Sequence, residues 1–398
     1  MSRHQEPALT LWPAATVETG GRVNLPRAVV GKAKHRRPAD GTPAPAGTPD
    51  RPCAVVVAGA VAVAVLDTTA QPPQSAPTDT AADILKRRAK SKARTEAVVE
   101  GLAALGTRTP LRMAYANTLA CTATLRQDGA TIRGKYCGNR WCAVCNRIRT
   151  AKLRQAYAPI LAAWSDAHFV TLTIPNMGPR ALPGAIRQLL KNTKLLADQI
   201  RRTDKLPWKA VRKLEVTYNV GRRDFHPHLH LIVKGAAQAR ALVARHLAKY
   251  PDANAGAQHI APCVGANAMA ELFKYLTKQT VKDDKGRISA TPPAALDIIY
   301  KAVRRLRTIQ PMGFSVAVEQ VTPEDEAITL DASTPAPLRM EQPTDWTWYS
   351  NVTDWVNLGT GELLSGYSPD VKEKRLLANI RRHNETCLAE PPPLRDLG

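Results

Sequence analysis

Residues 226–233 read His-Pro-His-Leu-His-Leu-Ile-Val, and this stretch predicts both the fold and the chemistry of the chain. Its apolar, β-branched end is typical of a buried strand. Since residues i and i+2 of a strand point to the same face, His228 and His230 would present two imidazoles side by side, with Leu229 turned into the core behind them. Imidazole is a common ligand for transition metals, and two ligands on a stiff strand leave coordination positions open for catalysis. The alternative is a histidine-rich edge strand that holds no ion.

The segments around this strand alternate between strand and helix patterns. Residues 169–174 are β-branched and apolar and end at Pro175, whereas residues 185–202 carry apolar side chains at helical spacing. The predicted elements are, in chain order, strand 169–174, helix 185–202, strand 211–219, strand 226–233, helix 236–249, strand 259–264, helix 268–280 and helix 294–308. Because the order β-α-β-β-α-β matches the ferredoxin-like split βαβ unit, we expect an α+β fold. Helices would cover one face of an antiparallel sheet and leave the opposite face for a ligand.

Positive charge is concentrated on the same middle part of the chain. The 398 residues carry a net charge of +22, and residues 131–320 hold 32 Lys and Arg against 11 Asp and Glu, so the rest is nearly neutral. This segregation predicts a phosphate-binding face, with nucleic acid as the first candidate partner. An ordinary solvated basic surface is the alternative.

Four of the seven cysteines are spaced for a metal. Cys137, Cys142 and Cys145 fall within nine residues, and Cys121 lies upstream as the best fourth ligand. Four thiolates would complete a closed tetrahedral zinc site. The seven cysteines of the chain are odd in number and irregularly spaced, which does not suggest a secreted disulfide scaffold. Buried free cysteines are the alternative. The basic residues around this predicted zinc knuckle, which would suit contact with the DNA backbone, are Arg140, Arg147 and Arg149.

The ends of the chain differ in composition from its middle. The expected organisation is a disordered Pro/Ala-rich extension over 1–81, a basic helix over 82–110, the zinc-knuckle region over 115–160, the histidine-bearing domain over 161–320 and an acidic, tryptophan-containing tail over 321–398. The cations of the helix could contact DNA or simply face solvent. The tryptophans of the tail could form a small module or dock on the main domain.

The sequence predicts a cytoplasmic protein that does not span a membrane. The N-terminus is polar and broken by prolines, unlike a signal peptide. The apolar run at 53–66 has 14 residues, fewer than the ~20 that a transmembrane helix needs.

A third set of chemically useful side chains occurs at 271–278, which reads Glu-Leu-Phe-Lys-Tyr-Leu-Thr-Lys. On a helix, Glu271, Tyr275 and Lys278 share one face. Tyrosine can act as a covalent nucleophile, lysine can neutralise an attacked phosphate, and glutamate can accept a proton. Taken alone, the pattern is more typical of an ordinary amphipathic helix with Glu–Lys pairing on its surface.

Together these elements give the chain a family resemblance. It resembles the rolling-circle replication initiators (Rep proteins) of small bacterial plasmids, members of the HUH endonuclease superfamily, over about residues 121–314. The cysteine cluster, the strand at 169–174, the histidine strand and the tyrosine helix occur in the family's order. His228, Leu229 and His230 match the motif that names the superfamily. The family's third motif is matched by Leu272, Tyr275, Leu276 and Lys278, and Glu271 matches a subgroup with a single tyrosine and a glutamate one turn earlier.

The resemblance implies an HUH nicking domain over 161–320 that cuts one strand of a double-strand origin. Tyr275 would attack the scissile phosphate and stay joined to the 5′ end. Lys278 would orient the phosphate, and Glu271 would activate the water that closes the cycle. Further DNA-binding residues would be Arg222, Arg223 and Lys274. Origin DNA, single-stranded DNA and the host helicase and polymerase would be the partners.

A divalent ion, Mg²⁺ or Mn²⁺, would sit on His228 and His230 and polarise the phosphate. The sequence offers two candidates for the third ligand of this ion. If the hairpin turns near Arg222, Glu215 on the preceding strand falls roughly opposite His230, and His226 is the competing choice.

Two other functions share some of these features. A relaxase or single-strand transposase of the same superfamily would use the same chemistry, but the cysteine knuckle and Glu271 favour the replication initiator. A zinc-stabilised, non-catalytic DNA-binding regulator would carry the histidines for structure alone.

Overall fold

The computed structural model describes residues 80–263, 272, 280–282, 288–316, 327–330 and 342–389, with backbone alone at 280–282 and 288–289. The predicted disordered extension, apart from its last two residues, and the apolar run at 53–66 lie outside these residues. All of the described residues belong to one unit, residues 72–398.

Twelve strands and seven α-helices occur in the described residues. The strands are β1 (Thr124–Asp128), β2 (Thr131–Gly134), β3 (Ala167–Thr173), β4 (Ala210–Asn219), β5 (Asp224–Lys234), β6 (His259–Pro262), β7 (Thr280–Lys282), β8 (Ile288–Ala290), β9 (Ile309–Met312), β10 (Ile328–Thr329), β11 (Thr344–Tyr349) and β12 (Asp354–Asn357). The helices are α1 (Ala81–Ala103), α2 (Arg112–Leu119), α3 (Ala143–Ala162), α4 (Leu182–Arg202), α5 (Ala236–Lys249), α6 (Pro293–Val303) and α7 (Val371–Ala389). Single 3-10 turns span Gly106–Arg108 and Ala255–Ala257.

The central sheet confirms the predicted α+β fold. Its strand order is β6-β3-β5-β4-β9, and every neighbouring pair is antiparallel. The segment from β3 to β6 follows the predicted order β-α-β-β-α-β, with the split connectivity of the ferredoxin-like unit. Strand β9 extends this unit by one strand at the β4 edge.

One face of the central sheet is buried under helices. Apolar side chains of α4, among them Ile186 and Leu189, form one core with Leu229 and Leu231 of β5. Alternation along a strand explains the arrangement, because Leu229 and Leu231 share a face that His228 and His230 do not.

The opposite face is partly covered, which differs from the prediction of a face left entirely for a ligand. Tyr157, Leu161 and Trp164, from α3 and the turn after it, form a second buried cluster with Val211 and Ile232 of the sheet. Because this cluster occupies the end of the face beyond the histidines, the α3 side closes one end of the candidate site.

The predicted helix 294–308 was wrong beyond Val303. The backbone becomes extended at Arg304, with ψ of 135°, and Arg305 adopts a positive φ of 63°. Residues 309–312 then pair with 210–213 as β9, so sheet pairing takes over from helical periodicity at this end.

A second sheet joins the knuckle region to the C-terminal part of the chain. Its order is β10-β2-β1-β11-β12, so β1 and β2 pair with strands more than 190 residues away. Trp346 and Trp355 are fully buried, and their indole N–H groups donate to Gln127 Oε1 and to the Thr122 carbonyl. The tryptophans of the C-terminal segment therefore form the core of a shared sheet.

Helix α1 uses several of its cations inside the protein rather than on a DNA-facing or solvated surface. Lys92 is 1% exposed and donates to the Leu119 carbonyl, and buried Arg88 contacts the Tyr136 hydroxyl. Arg94 makes a two-pronged ion pair with Glu373 of α7, at 2.5 Å for each contact. The basic sequence of α1 is thus partly accounted for by internal packing.

Among the described residues, no helix combines the length and the apolar character that a bilayer crossing requires.

Shortening Trp346 to alanine should cost about 3–5 kcal/mol of unfolding free energy, because it empties the core of the second sheet. Tyr349 lies on the same strand but is 41% exposed, so Tyr349→Ala is the matched control and should cost less than about 0.5 kcal/mol. Urea denaturation followed by circular dichroism measures both. Equal losses would contradict the packing described here.

Candidate functional site

The β4–β5 hairpin determines which side chains meet on the partly open face of the central sheet. Glu215 lies directly opposite His228, and Lys213 lies opposite His230. On the other side of β5, Thr171 of β3 lies opposite His230. Because cross-strand partners share a face, all five side chains project from the same side.

The partner of Glu215 on β5 differs by two residues from the sequence prediction, which placed Glu215 roughly opposite His230. The last pair before the turn joins Asn219 to Asp224, so the turn occupies residues 220–223 and Glu215 meets His228. His230 remains the diagonal neighbour of Glu215, and its Nε2 atom lies 3.5 Å from Glu215 Oε2.

Glu215, His228 and His230 form a group that can hold a metal ion. One ligand atom from each lies within 4.8 Å of the other two. Glu215 and His228 are buried, whereas His230 is partly exposed and opens the group toward solvent. Two imidazoles and one carboxylate suit a divalent transition metal and leave coordination positions open for a substrate.

Hydrogen bonds orient both imidazoles for this role. His228 Nδ1 lies 3.2 Å from the His226 carbonyl, which can only accept, so the proton sits on Nδ1 and Nε2 keeps its lone pair. His230 Nδ1 contacts the Thr171 hydroxyl at 3.1 Å and likewise points Nε2 toward Glu215. Burial lowers the pKa of His228 to about 4, so this ring is uncharged at neutral pH, as a ligand must be.

His226 is held away from this donor group. Its Nδ1 donates to Asn176 Oδ1 at 2.8 Å, and Asn176 Nδ2 donates in turn to Asp224 Oδ1 at 2.6 Å. The structure therefore groups Glu215, rather than His226, with the two other histidines.

Lys213 is a residue of this face that the sequence analysis missed. Its ammonium lies 3.2 Å from Glu215 Oε2, and the two side chains are only 1% and 5% exposed. The available signal was the i, i+2 spacing of Lys213 and Glu215 on a predicted strand, which places both on one face.

The predicted tyrosine helix 268–280 was wrong at Thr280, which begins β7. Leu272 is the other described residue of that helix. It is helical, fully buried and part of the cluster that contains Val211 and Ile232. These two sheet residues lie two positions from Lys213 and His230, on the same face. The four predicted site residues of this segment, which lie outside the described residues, are Glu271, Lys274, Tyr275 and Lys278.

The four predicted zinc ligands come together in space. The sulphur of Cys121 lies 3.6 Å from those of Cys142 and Cys145, and that of Cys137 lies 3.7 Å from Cys145. Four sulphurs at about 2.3 Å from a tetrahedral zinc would be roughly 3.8 Å apart, so the cluster fits the ion. Cys121 follows α2, Cys137 follows β2, and the other two begin α3.

The four thiols lie close enough to shift one another's pKa. Hydrogen bonds from the neighbouring thiols, that of Cys121 first, lower the pKa of Cys137 and of Cys145. The same contacts raise the pKa of Cys121 and Cys142. Thiolates are the metal-binding form, so a bound zinc ion would hold the sulphurs deprotonated.

The arginines predicted to bind DNA occupy two kinds of position. Arg140 contacts the Leu306 carbonyl, and Arg149 donates to the Gly138 carbonyl at 2.8 Å, so both brace the loop of the cysteine cluster. Arg147 is partly exposed on α3. Arg222 and Arg223 are exposed at the tip of the β4–β5 hairpin, where Arg222 lies 3.3 Å from Asp224.

Comparison with known proteins matches the part of the chain that carries this site. Residues 130–236 match a family model described as a replication protein. A protein named Protein rep from Streptococcus pneumoniae serotype 2 is 27% identical over 119 residues, which is 27% of this chain and 36% of that protein. A Protein rep from Staphylococcus aureus is 28% identical over 106 residues, which is 25% of this chain and 46% of that protein.

The matched segment includes three of the four cysteines and the donors Glu215, His228 and His230, and it ends before Tyr275. The chain spans less than half the length of these curated relatives. No solved structure matches it.

The cysteine cluster yields a prediction on metal content. Cys145→Ser should weaken zinc binding by at least about 100-fold. Removing a residue that only hydrogen-bonds to a metal ligand already lowers metal affinity by ~10–100-fold, and Cys145 would be a ligand itself. Cys263→Ser is the matched control, since Cys263 is partly buried and lies outside the cluster. Zinc measured by mass spectrometry on the purified chain should be lost in the first variant and kept in the second. Full zinc in Cys145→Ser would contradict a four-thiolate site.

Proposed function

We propose that the chain, which matches replication proteins over the segment that holds its histidine strand, initiates rolling-circle replication of a plasmid. It would bind a double-strand origin and nick one strand at a specific position. The observation that carries the proposal is the group of Glu215, His228 and His230 on one face of the central sheet. Leu272, three residues before Tyr275, belongs to the buried cluster on the same face.

In the proposed reaction, the Tyr275 oxygen attacks the scissile phosphorus and loses its proton. The bond from phosphorus to the 3′ oxygen breaks, and that oxygen leaves as a hydroxyl that can prime synthesis. The 5′ phosphate stays on the tyrosine as a phosphodiester. Attack by a later 3′ hydroxyl or by water reverses or closes the cycle.

Protein groups would position the phosphate for this attack. Glu215, His228 and His230 would hold Mg²⁺ or Mn²⁺, and the bound ion would supply Lewis-acid polarisation of the phosphate oxygens. The His226 carbonyl and the Thr171 hydroxyl keep the two rings in their binding orientation. We assign Lys278 to orient the phosphate and Glu271 to accept the proton of the water that ends the cycle.

The nucleic-acid partners follow from the charge of the chain. The net charge of +22 supports binding to origin duplex and to single-stranded DNA, with a steep dependence on salt. Arg222 and Arg223 are exposed cations at the hairpin tip that leads into the histidine strand. Host helicase and polymerase would take over the nicked strand.

The proposed nucleophile can be tested on a supercoiled plasmid carrying the origin, with Mn²⁺ present. The wild type should give open circles and a 5′-phosphotyrosyl peptide at Tyr275, and Tyr275→Phe should bind the plasmid without nicking it. Tyr349→Phe, at an exposed tyrosine on β11, should nick normally. If the wild type binds and never nicks, the chain is a DNA-binding regulator. If the adduct maps to another tyrosine, Tyr275 is not the nucleophile.

The donor group has its own prediction. His230→Ala should lower the nicking rate by about 100-fold or more, because removal of a ligand disrupts the position of the phosphate. His383→Ala on α7 is the matched histidine control and should leave the rate unchanged. Nicking rates at saturating Mn²⁺ compare the two. Undiminished nicking by His230→Ala would refute the proposed metal site.

A further inference from the structure

A buried ammonium shares a carboxylate with the candidate metal group. Lys213 Nζ lies 3.2 Å from Glu215 Oε2, and His230 Nε2 lies 3.5 Å from the same oxygen. The oxygen that faces an imidazole ligand atom is therefore also the one that carries the ion pair.

A purely structural role explains this lysine poorly. Burying two charges costs solvation that their attraction often fails to recover, and apolar residues of similar size can replace such pairs with little loss. Here the side chains of Lys213 and Glu215 are only 1% and 5% exposed. Leu214, between them on the strand, packs in the main core on the opposite face of the sheet. A buried cation at this position thus points to a functional charge.

The charge balance of the site indicates what that function is. Glu215 carries one negative charge and Lys213 one positive charge, so the buried ion pair is neutral as a whole. A divalent ion would leave the group with a net positive charge close to the ammonium, and this repulsion is strong in a poorly solvated site. An incoming phosphodiester is an anion and would relieve it.

We propose that Lys213 couples metal binding to DNA binding. The ammonium competes with the divalent ion for Glu215 and weakens metal binding until a DNA phosphate reaches the face. The phosphate then binds both cations, so each ligand strengthens the binding of the other. This inference rests on the metal site of the proposed function, and it adds a positioning residue that acts through Glu215.

The test measures Mn²⁺ affinity of the full chain by the electron paramagnetic resonance signal of free Mn²⁺, without any nicking. Lys213→Met should bind Mn²⁺ about ten-fold tighter than the wild type, because the competing charge is gone. Lys213→Arg keeps the charge and should stay within about two-fold of the wild type. Lys234→Met changes an exposed lysine at the end of the same strand as the histidines and should also have no effect.

A second measurement adds DNA to the Mn²⁺ binding assay. A thymidylate oligonucleotide of about 20 nucleotides should tighten Mn²⁺ binding to the wild type by roughly ten-fold. The gain should fall to about two-fold in Lys213→Met. If the methionine variant does not fold, as judged by circular dichroism, Lys213→Gln takes its place with the same expectation.

The outcomes separate this inference from the proposed function. Mn²⁺ binding that is lost in His230→Ala but unchanged in Lys213→Met would overturn the role of Lys213 and leave the metal site standing. An oligonucleotide that does not alter Mn²⁺ binding to the wild type would also overturn the coupling. A wild type that binds no Mn²⁺ would overturn the metal site and the coupling together.

Discussion

The register of the β4–β5 hairpin is the constraint on which the candidate site depends. It places Glu215 opposite His228 and Lys213 opposite His230, so a carboxylate, two imidazoles and an ammonium meet on one face. A slip of one residue would turn every side chain of one strand to the other face and bury charges against the helices. Leu214 and Leu229 prevent this slip, because both are buried in the helix-covered core.

The cysteine cluster lies between the two sheets, because it joins β2 of the second sheet to α3, which packs on the central sheet. Its sulphurs come from the ends of α2 and β2 and from the start of α3, and α3 then packs on the histidine-bearing face through Tyr157 and Leu161. A zinc ion there would tie these segments with bonds that persist without a large apolar core. The sheet shared by β1 and β11 carries the same connection to the C-terminal part of the chain.

Charge in this protein serves more than one purpose. Lys92 and Arg88 are buried in contacts with a carbonyl and a phenol, and Arg94 joins α1 to α7 through Glu373. Lys92 and Arg88 are therefore not part of an open DNA-binding surface, and the charge of Arg94 is paired with Glu373. Net charge by itself indicated nucleic acid as the first candidate partner, but only the packing separates the cations that brace the fold from those left exposed.

Local pattern in the sequence determined the order β-α-β-β-α-β of the central unit and the ends of helix 236–249. It also placed His228 and His230 on one face of their strand and indicated Cys121 as the fourth sulphur. These features depend on periodicity and spacing, which neighbouring residues encode. Tertiary structure alone decided that β1 pairs with β11, that residues after Val303 leave the helix, and that Glu215 lies opposite His228. Each of these arises from contacts between distant segments or from a turn one residue away from the expected place, and local periodicity carries no information about either.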